Sequence, residues 1–378
     1  MKIVLTGGGT GGHFYPLIAV AEEIFALALE RHMIEPQLFY IGPEPFDKLA
    51  LQEHNIVFIQ SPAGKLRRYA SILNVFDFVK TFFGIIKSVF QLYSLYPDVI
   101  FSKGGYASFP TLVAARILAI PVIVHESDAS VGRANLYGAK FARFVAISYP
   151  GTEELIPVPK EKIALVGHPV RKDIALPAKE GMYNFLELSP ELPTILVMGG
   201  TLGAQTINNA VIDALPLLLP KYQVIHQTGA QNLDEVRKIS QVVLKNNEFK
   251  DRYKTYGFLN TLALRMSAGA ASLVVSRAGT GTIFEISAWG LPSIIIPIPE
   301  QISHDQTKNA FAFARVGACT VIEQHNLTSH ILVSEINRIM ETKQLKDDMV
   351  RSARTFARPD AARKLARVIL DTVLEHEA

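Results

Sequence analysis

Short apolar runs recur along the chain with longer amphipathic stretches between them: residues 3–5, 38–41, 99–101, 122–124 and 144–147, then 195–198, 224–227, 273–276 and 293–298. Runs of this length, bounded by glycine or polar residues, predict strands buried on both faces, and the intervals predict helices. The fold class is therefore α/β with parallel sheets. The passage from strand into glycine-rich turn occurs twice, half a chain apart, as Ile3-Val4-Leu5-Thr6-Gly7-Gly8-Gly9-Thr10-Gly11-Gly12 and as Ile195-Leu196-Val197-Met198-Gly199-Gly200-Thr201-Leu202-Gly203-Ala204. That spacing predicts two doubly wound, Rossmann-like domains, each opening on its own glycine turn and facing the other across a cleft. The boundary is expected at Val166-Gly167-His168-Pro169-Val170-Arg171, with 1–168 as one domain and 169–355 as the other. A last helix within 356–378, carrying Leu365, Val368 and Ile369 on one face, is expected to return to the first domain.

Composition narrows the classes. A length of 378 residues suits two domains at roughly 150 residues each. With 49% hydrophobic and only 19% charged residues, disorder and coiled coil are excluded. The balance of 38 basic against 35 acidic side chains, +3, is too small for a nucleic-acid footprint. Cys319 is the single cysteine, so neither an internal disulfide nor a thiolate metal cluster can form. The first apolar run is too short for a signal peptide. The longest uncharged stretch, 192–212, is interrupted by Pro193, a glycine pair and Asn208-Asn209, so no transmembrane helix is expected.

The chemistry concentrates in three glycine loops. Gly7-x-Gly9-x-x-Gly12 alone is a weak dinucleotide-like signal, equally a tight turn. It is joined by Lys103-Gly104-Gly105-Tyr106 after the 99–101 strand and by Arg277-Ala278-Gly279-Thr280-Gly281-Thr282 after the 273–276 strand. Glycine lets backbone N–H groups and a helix N-terminus approach an anion, so three such loops suit a diphosphate or two phosphorylated ligands. Thr282 is expected to open a helix over 283–289 with Glu285 in its first turn, where the carboxylate either accepts from a ribose diol or complements the helix dipole. Asp305 and Gln306 open a polar segment able to orient a sugar. No Asp-x-Asp and no metal-ligand spacing occurs, so no metal or other cofactor is required.

Lys65, Arg67 and Arg68 precede a stretch in which Val75, Phe76, Val79, Phe82, Phe83, Ile86, Val89 and Phe90 recur at helical spacing, with Phe78 and Ile85 widening the apolar face. This pattern fits a helix dipping into an anionic membrane surface, or a core helix with a solvated basic end.

In order and spacing, these segments resemble the MurG family, GT-B-fold glycosyltransferases of family 28 in bacterial cell-wall synthesis. The resemblance runs almost end to end, through Gly7 to His13, Gly104-Gly105-Tyr106, His125-Glu126, Val166 to Arg171, Gly199 to Ala204, Ser276 to Gly279, Gln306-x-x-Asn309-Ala310 and Phe356 to Ala362. It implies inverting transfer of GlcNAc from UDP-GlcNAc to the 4-hydroxyl of MurNAc in undecaprenyl-pyrophosphoryl-MurNAc-pentapeptide. It also implies a peripheral position on the cytoplasmic face of the bacterial plasma membrane, with cell-wall synthesis or division proteins as partners. Carried over, the donor set is Thr10, Gly11, Gly12, Arg171, Thr201, Phe258, Leu259, Arg277, Thr280, Gly281, Thr282, Glu285, Asp305 and Gln306. Gly104, Gly105, Tyr106, His125 and Asn135 fall on the acceptor side. His13, Glu126 and, as alternative base, Asp128 form the catalytic set. His125-Glu126-Ser127-Asp128 departs from the family's usual His-Glu-Gln-Asn, His168 stands where Asn is common, and Thr201-Leu202 replaces Ser-Gln. Three rival readings are a transferase acting on another lipid, a non-catalytic nucleotide-sugar sensor, and an NAD-dependent oxidoreductase. The last lacks a clear acidic residue about 20 positions beyond the first loop.

Overall fold

The computed structural model describes residues 1–9, 11–65, 73–200, 204–303 and 305–377. The chain divides into two compact units, Met1–Arg171 with Arg358–Ala378, and Lys172–Ala357.

The first unit is built on seven strands: β1 Lys2–Thr6, β2 Gln37–Gly42, β3 Ile56–Gln60, β4 Val99–Ser102, β5 Val122–Glu126, β6 Phe144–Ile147 and β7 Ile163–Leu165. All pair in parallel, in the order β3-β2-β1-β4-β5-β6-β7. The interior strands are buried on both faces, which is why they read as unbroken apolar runs. One face is covered by the helices Gly11–Glu30 and Ala361–Glu377, whose Phe14, Leu17, Ile18, Leu365, Ile369 and Val373 share a core with Ile3, Leu5 and Phe101. Arg31–Asp371 at 2.6 Å and Arg363–Glu30 at 2.5 Å bind the rim of that helix pair. By length and composition the Gly11–Glu30 helix could cross a membrane, but most of it is buried in this core.

The other face carries the helices Leu73–Leu95, Phe109–Ile117 and Arg133–Ala139. The first of these turns its small residues inward. Gly84 lies against the Pro62 carbonyl, Ser88 Oγ is 2.8 Å from Ser61 Oγ, and Leu92 is buried. Its aromatic residues face out, with Phe76, Phe78, Phe83 and Phe90 each at least 60% exposed and Phe82 at 54%. The core-helix alternative for this stretch is thereby corrected: a seam of Gly84 and Ser88 packs closer than any phenylalanine could. Lys65, Lys80 and Lys87 are exposed beside it, and Ile85 is half-buried.

The second unit has six strands, β8 Thr194–Met198, β9 Gln223–Gln227, β10 Tyr253–Tyr256, β11 Ala271–Ser276, β12 Ser293–Ile295 and β13 Cys319–Val321. They are again parallel, in the order β10-β9-β8-β11-β12-β13. The strand expected over 293–298 ends at Ile295. The Ile296 amide still reaches the Ser276 carbonyl at 2.8 Å, but Pro297 has no N–H with which to continue the ladder. In each unit the strand order reverses beside the first strand, between β1 and β4 and between β8 and β11. In open parallel sheets, ligands bind outside the carboxyl ends at that reversal.

Candidate functional site

In the first unit, both glycine loops lie at the reversal. The turn after β1 runs through Gly7, Gly8 and Gly9 into the Gly11–Glu30 helix, and the turn after β4 runs through Gly104 and Gly105 into Tyr106. Tyr40, buried on β2, donates to the Gly7 carbonyl at 2.5 Å and sets the first turn. The two turns interlock. A Cβ on Gly9 would stand 2.5 Å from the Tyr106 ring, and one on Gly105 would stand 2.8 Å from the Gly8 carbonyl and 3.6 Å from the His13 ring. His13, partly exposed in the helix's first turn, is thus brought against Gly105. The first-turn amides of Gly11 and Gly12 have no intrahelical acceptor to reach, which suits an anion.

Behind these turns lies a buried polar layer at the ends of β4 and β5. A Cβ on Gly104 would meet the Asn135 amide, so glycine there makes room for it. Asn135 Nδ2 donates to Glu126 Oε2 at 2.9 Å. Glu126 also accepts from the amides of Gly132 at 2.9 Å and Asp128 at 3.1 Å. Both Glu126 oxygens therefore organise the segment 127–135. Burial pushes this carboxyl up to about 7, assisted by the charge of Asp128 and opposed by the Asn135, Gly132 and Asp128 hydrogen bonds. Asn135 Oδ1, also buried, has no hydrogen-bond partner among the described residues. Lys103 is fully buried beside His125, Ser127 and His168. Burial, then the Lys103 charge, holds both imidazoles well below their ordinary range. Arg171 belongs to this unit, its guanidinium 4.6 Å above the Tyr15 ring.

In the second unit, the loop after β11 meets the helix Thr280–Trp289, which starts three residues earlier than expected. The cause is Asn309. Its Nδ2 donates to the Ala278 carbonyl at 3.3 Å and to Thr280 Oγ1 at 3.1 Å, fixing the helix entry. Glu285 consequently lies in the second turn rather than the first, which weakens the dipole-complement reading. The N-cap is Gly279 in extended conformation with no side chain to cap the helix, so the first-turn amides of Gly281 and Thr282 can offer an anion site. Gln306 Oε1 accepts from the amides of Ala278 at 3.3 Å and Ile298 at 3.2 Å, and Asp305 is the N-cap of the helix Gln306–Arg315. Leu259 is buried and its amide donates to Gln227 Oε1 at 3.2 Å, while neighbouring Phe258 is exposed.

Arg277, expected to face the donor, is committed elsewhere: Nη1 donates to the carbonyls of Ile296 and Pro297 and Nη2 to Gln324 Oε1 at 2.7 Å. It ties the loop to the end of β12, and burial lowers its pKa to about 10. Thr10, Arg67, Arg68 and Thr201 lie outside the described residues. The sequence pattern alone assigns no role to Lys103, Ser127, Gln227 or Asn309. For Lys103 a signal existed, because a lysine one step past the apolar β4 run and before a glycine pair has little choice but to point inward.

The chain matches the glycosyltransferase family 28 N-terminal domain over residues 3–147 and the family 28 C-terminal domain over residues 194–365. It is 37% identical over 343 residues to the UDP-N-acetylglucosamine–N-acetylmuramyl-(pentapeptide) pyrophosphoryl-undecaprenol N-acetylglucosamine transferase of Treponema denticola, covering 88% of this chain and 86% of that protein. The transferase of the same name from Legionella pneumophila is 34% identical, with 95% of this chain and 94% of that protein covered. Among solved structures, MurG from Acinetobacter baumannii shares the fold, with a TM-score of 0.74 at 24% identity and coverage of 98% and 99%. With family models matched in both units and relatives this similar over most of their length, the chain belongs to glycosyltransferase family 28, within the MurG family.

Proposed function

We propose that the protein transfers N-acetylglucosamine from UDP-GlcNAc to the 4-hydroxyl of the muramyl sugar in undecaprenyl-pyrophosphoryl-MurNAc-pentapeptide, converting lipid I to lipid II. The observation that carries this is the 37% identity, over most of the chain, to a transferase named for that donor and acceptor. The second unit supplies a donor site of suitable chemistry. The Thr280–Trp289 helix end faces a diphosphate, Glu285 a ribose diol, Leu259 the uracil edge, and Asp305 with Gln306 the sugar. Gly104, Gly105, Tyr106 and Asn135 form the acceptor side, and the carry-over of His125 to direct acceptor contact is corrected: it is fully buried, with both ring nitrogens engaged by the Gly167 carbonyl and Lys103.

A single displacement inverts the anomeric carbon and needs a base for the acceptor hydroxyl. His13 is assigned that part, with Asp128 as its competitor. Glu126 keeps the segment 127–135 in place, since both its oxygens are engaged. Leaving-group charge is met by fixed amide dipoles.

The outward aromatic face of Leu73–Leu95, flanked by exposed lysines, supports docking on an anionic membrane at its cytoplasmic face, where a lipid-linked acceptor is held. Fully burying a phenylalanine is worth about 1.5–3 kcal/mol. Phe78→Ser with Phe82→Ser should therefore weaken binding to anionic vesicles at least about tenfold in flotation. Unchanged flotation would remove this face from membrane docking.

The transfer reading is tested by incubating the protein with labelled UDP-GlcNAc and a short-chain analogue of the lipid acceptor, in EDTA. Disaccharide product is expected. Donor binding without product would move the acceptor to another lipid, and failure to bind UDP-GlcNAc would overturn the reading.

A further inference from the structure

At the carboxyl ends of β4, β5 and β7, four polar side chains converge out of reach of solvent. Lys103 and His125 are 0% exposed, His168 is 2% and Ser127 is 3%. His125 Nε2 lies 2.8 Å from the Gly167 carbonyl, which can only accept. That nitrogen therefore carries the ring proton, and Nδ1 presents its lone pair to Lys103 Nζ. Nζ also donates to Ser127 Oγ at 2.7 Å and faces His168 Nδ1 at 3.5 Å. Three acceptors around one nitrogen match the three N–H bonds of an ammonium.

We propose that Lys103 is a positioning residue for acceptor recognition, its ammonium joining the ends of three strands and pinning Ser127 at the head of the segment that carries Asp128 and Asn135. This deepens the transfer reading above and rests on it. The same segment is held from its other side by Glu126, through the Asp128 and Gly132 amides and the Asn135 side chain. Asp128 and Asn135 are thus set between a buried cation and a buried carboxylate, and loss of either should let them drift from the acceptor while leaving the donor unit untouched.

The charged and titratable groups around Nζ are His125 and Glu126 from β5, Asp128 beyond it and His168 after β7, while His13 faces both histidines. Burial pushes the lysine down to about 7, with the charges of Glu126 and Asp128 working against it. Below that pH all three acceptors have a donor. Above it the amine keeps two N–H bonds, so one acceptor loses its partner and the pin loosens. The Glu126 carboxyl, itself near 7, ionises over the same range and tightens its own hold on the segment, so the Lys103 contribution is the difference between wild type and Lys103→Met: the KM for the lipid acceptor should climb more steeply from pH 6 to 8 in the wild type.

The experiment measures acceptor KM, kcat, UDP-GlcNAc affinity and amide hydrogen exchange over residues 128–132, at pH 6 and 8, for the wild type, Lys103→Met and Ser127→Ala. At pH 6, Lys103→Met should raise acceptor KM by about tenfold or more, with donor affinity within about twofold and exchange over 128–132 faster. The change of KM from pH 6 to 8 should be more steeply upward in the wild type than in Lys103→Met. Ser127→Ala, which removes one hydroxyl, should raise KM about threefold. Wild-type values of KM, pH dependence and exchange in the folded variants would overturn the proposal. If Lys103→Met does not fold, Ser127→Ala decides: normal KM and exchange in that variant overturn it. If the wild type binds UDP-GlcNAc yet transfers to no lipid acceptor, the transfer reading fails, and exchange over 128–132 alone still judges Lys103.

Discussion

Replacing His13 by alanine lowers kcat by roughly 10²–10⁴-fold while UDP-GlcNAc affinity stays within about twofold. The size follows from the base's task. Proton removal from the acceptor hydroxyl in the transition state is typically worth that factor, or about 3–5 kcal/mol of barrier. The selectivity follows from placement, because His13 lies in the first turn of Gly11–Glu30 in the first unit, whereas the proposed donor contacts at Thr280–Trp289 and Leu259 lie in the second. Single-turnover rates across pH separate His13 from Asp128. If His13 is the base, His13→Ala loses the chemical step while Asp128→Asn keeps most of it. Turnover above about a tenth of wild type in His13→Ala would transfer the role to Asp128, and Asp128→Asn would then show the larger loss.

What could be read from the sequence, and what could not, divides along physical lines. Every interior strand was visible because a strand covered on both faces must be apolar throughout, as Leu196, Val197, Val274 and Val275 illustrate. The four remaining strands, β3, β7, β10 and β13, are the edges of the two sheets. Ile163-Ala164-Leu165 is short and largely exposed, and Tyr253-Lys254-Thr255-Tyr256 is half-buried and polar, so neither carries an apolar run. The glycine loops were legible because close backbone approach leaves few other residues possible. The exact roles of charged side chains were not. Arg277 and Glu126 are both spent on hydrogen bonds within their own unit that depend on residues 19 or more positions away in one case and on a six-residue turn in the other. The start of Thr280–Trp289 was set by Asn309, whose reach across the fold no local pattern encodes.

Gly105→Ala should cost at least about 10² in transfer with UDP-GlcNAc binding preserved, an effect comparable to loss of the base itself. Gly105 sits at φ 79° and ψ 168°, a region open essentially to glycine alone, so any side chain there carries about 1–3 kcal/mol of backbone strain. Relief is blocked by the neighbour: the new Cβ would stand 2.8 Å from the Gly8 carbonyl, which is backbone and cannot swing aside as a side chain would. Either the turn after β4 rotates, moving Tyr106 off Gly9, or the first glycine loop retreats and takes His13 with it. Both displace the acceptor chemistry by the order of an ångström, enough to lose about 10² when reacting groups must be aligned. Gly151→Ala provides the control. It has a positive φ of 87° with nothing within 4 Å of a Cβ, so it bears strain without collision and should lower the melting temperature by a few degrees while keeping activity. Transfer by Gly105→Ala at the level of Gly151→Ala would mean that the interlocked turns do not hold the acceptor side together. A large loss in Gly105→Ala alone, with donor binding intact, locates the effect in the contact between the two glycine turns.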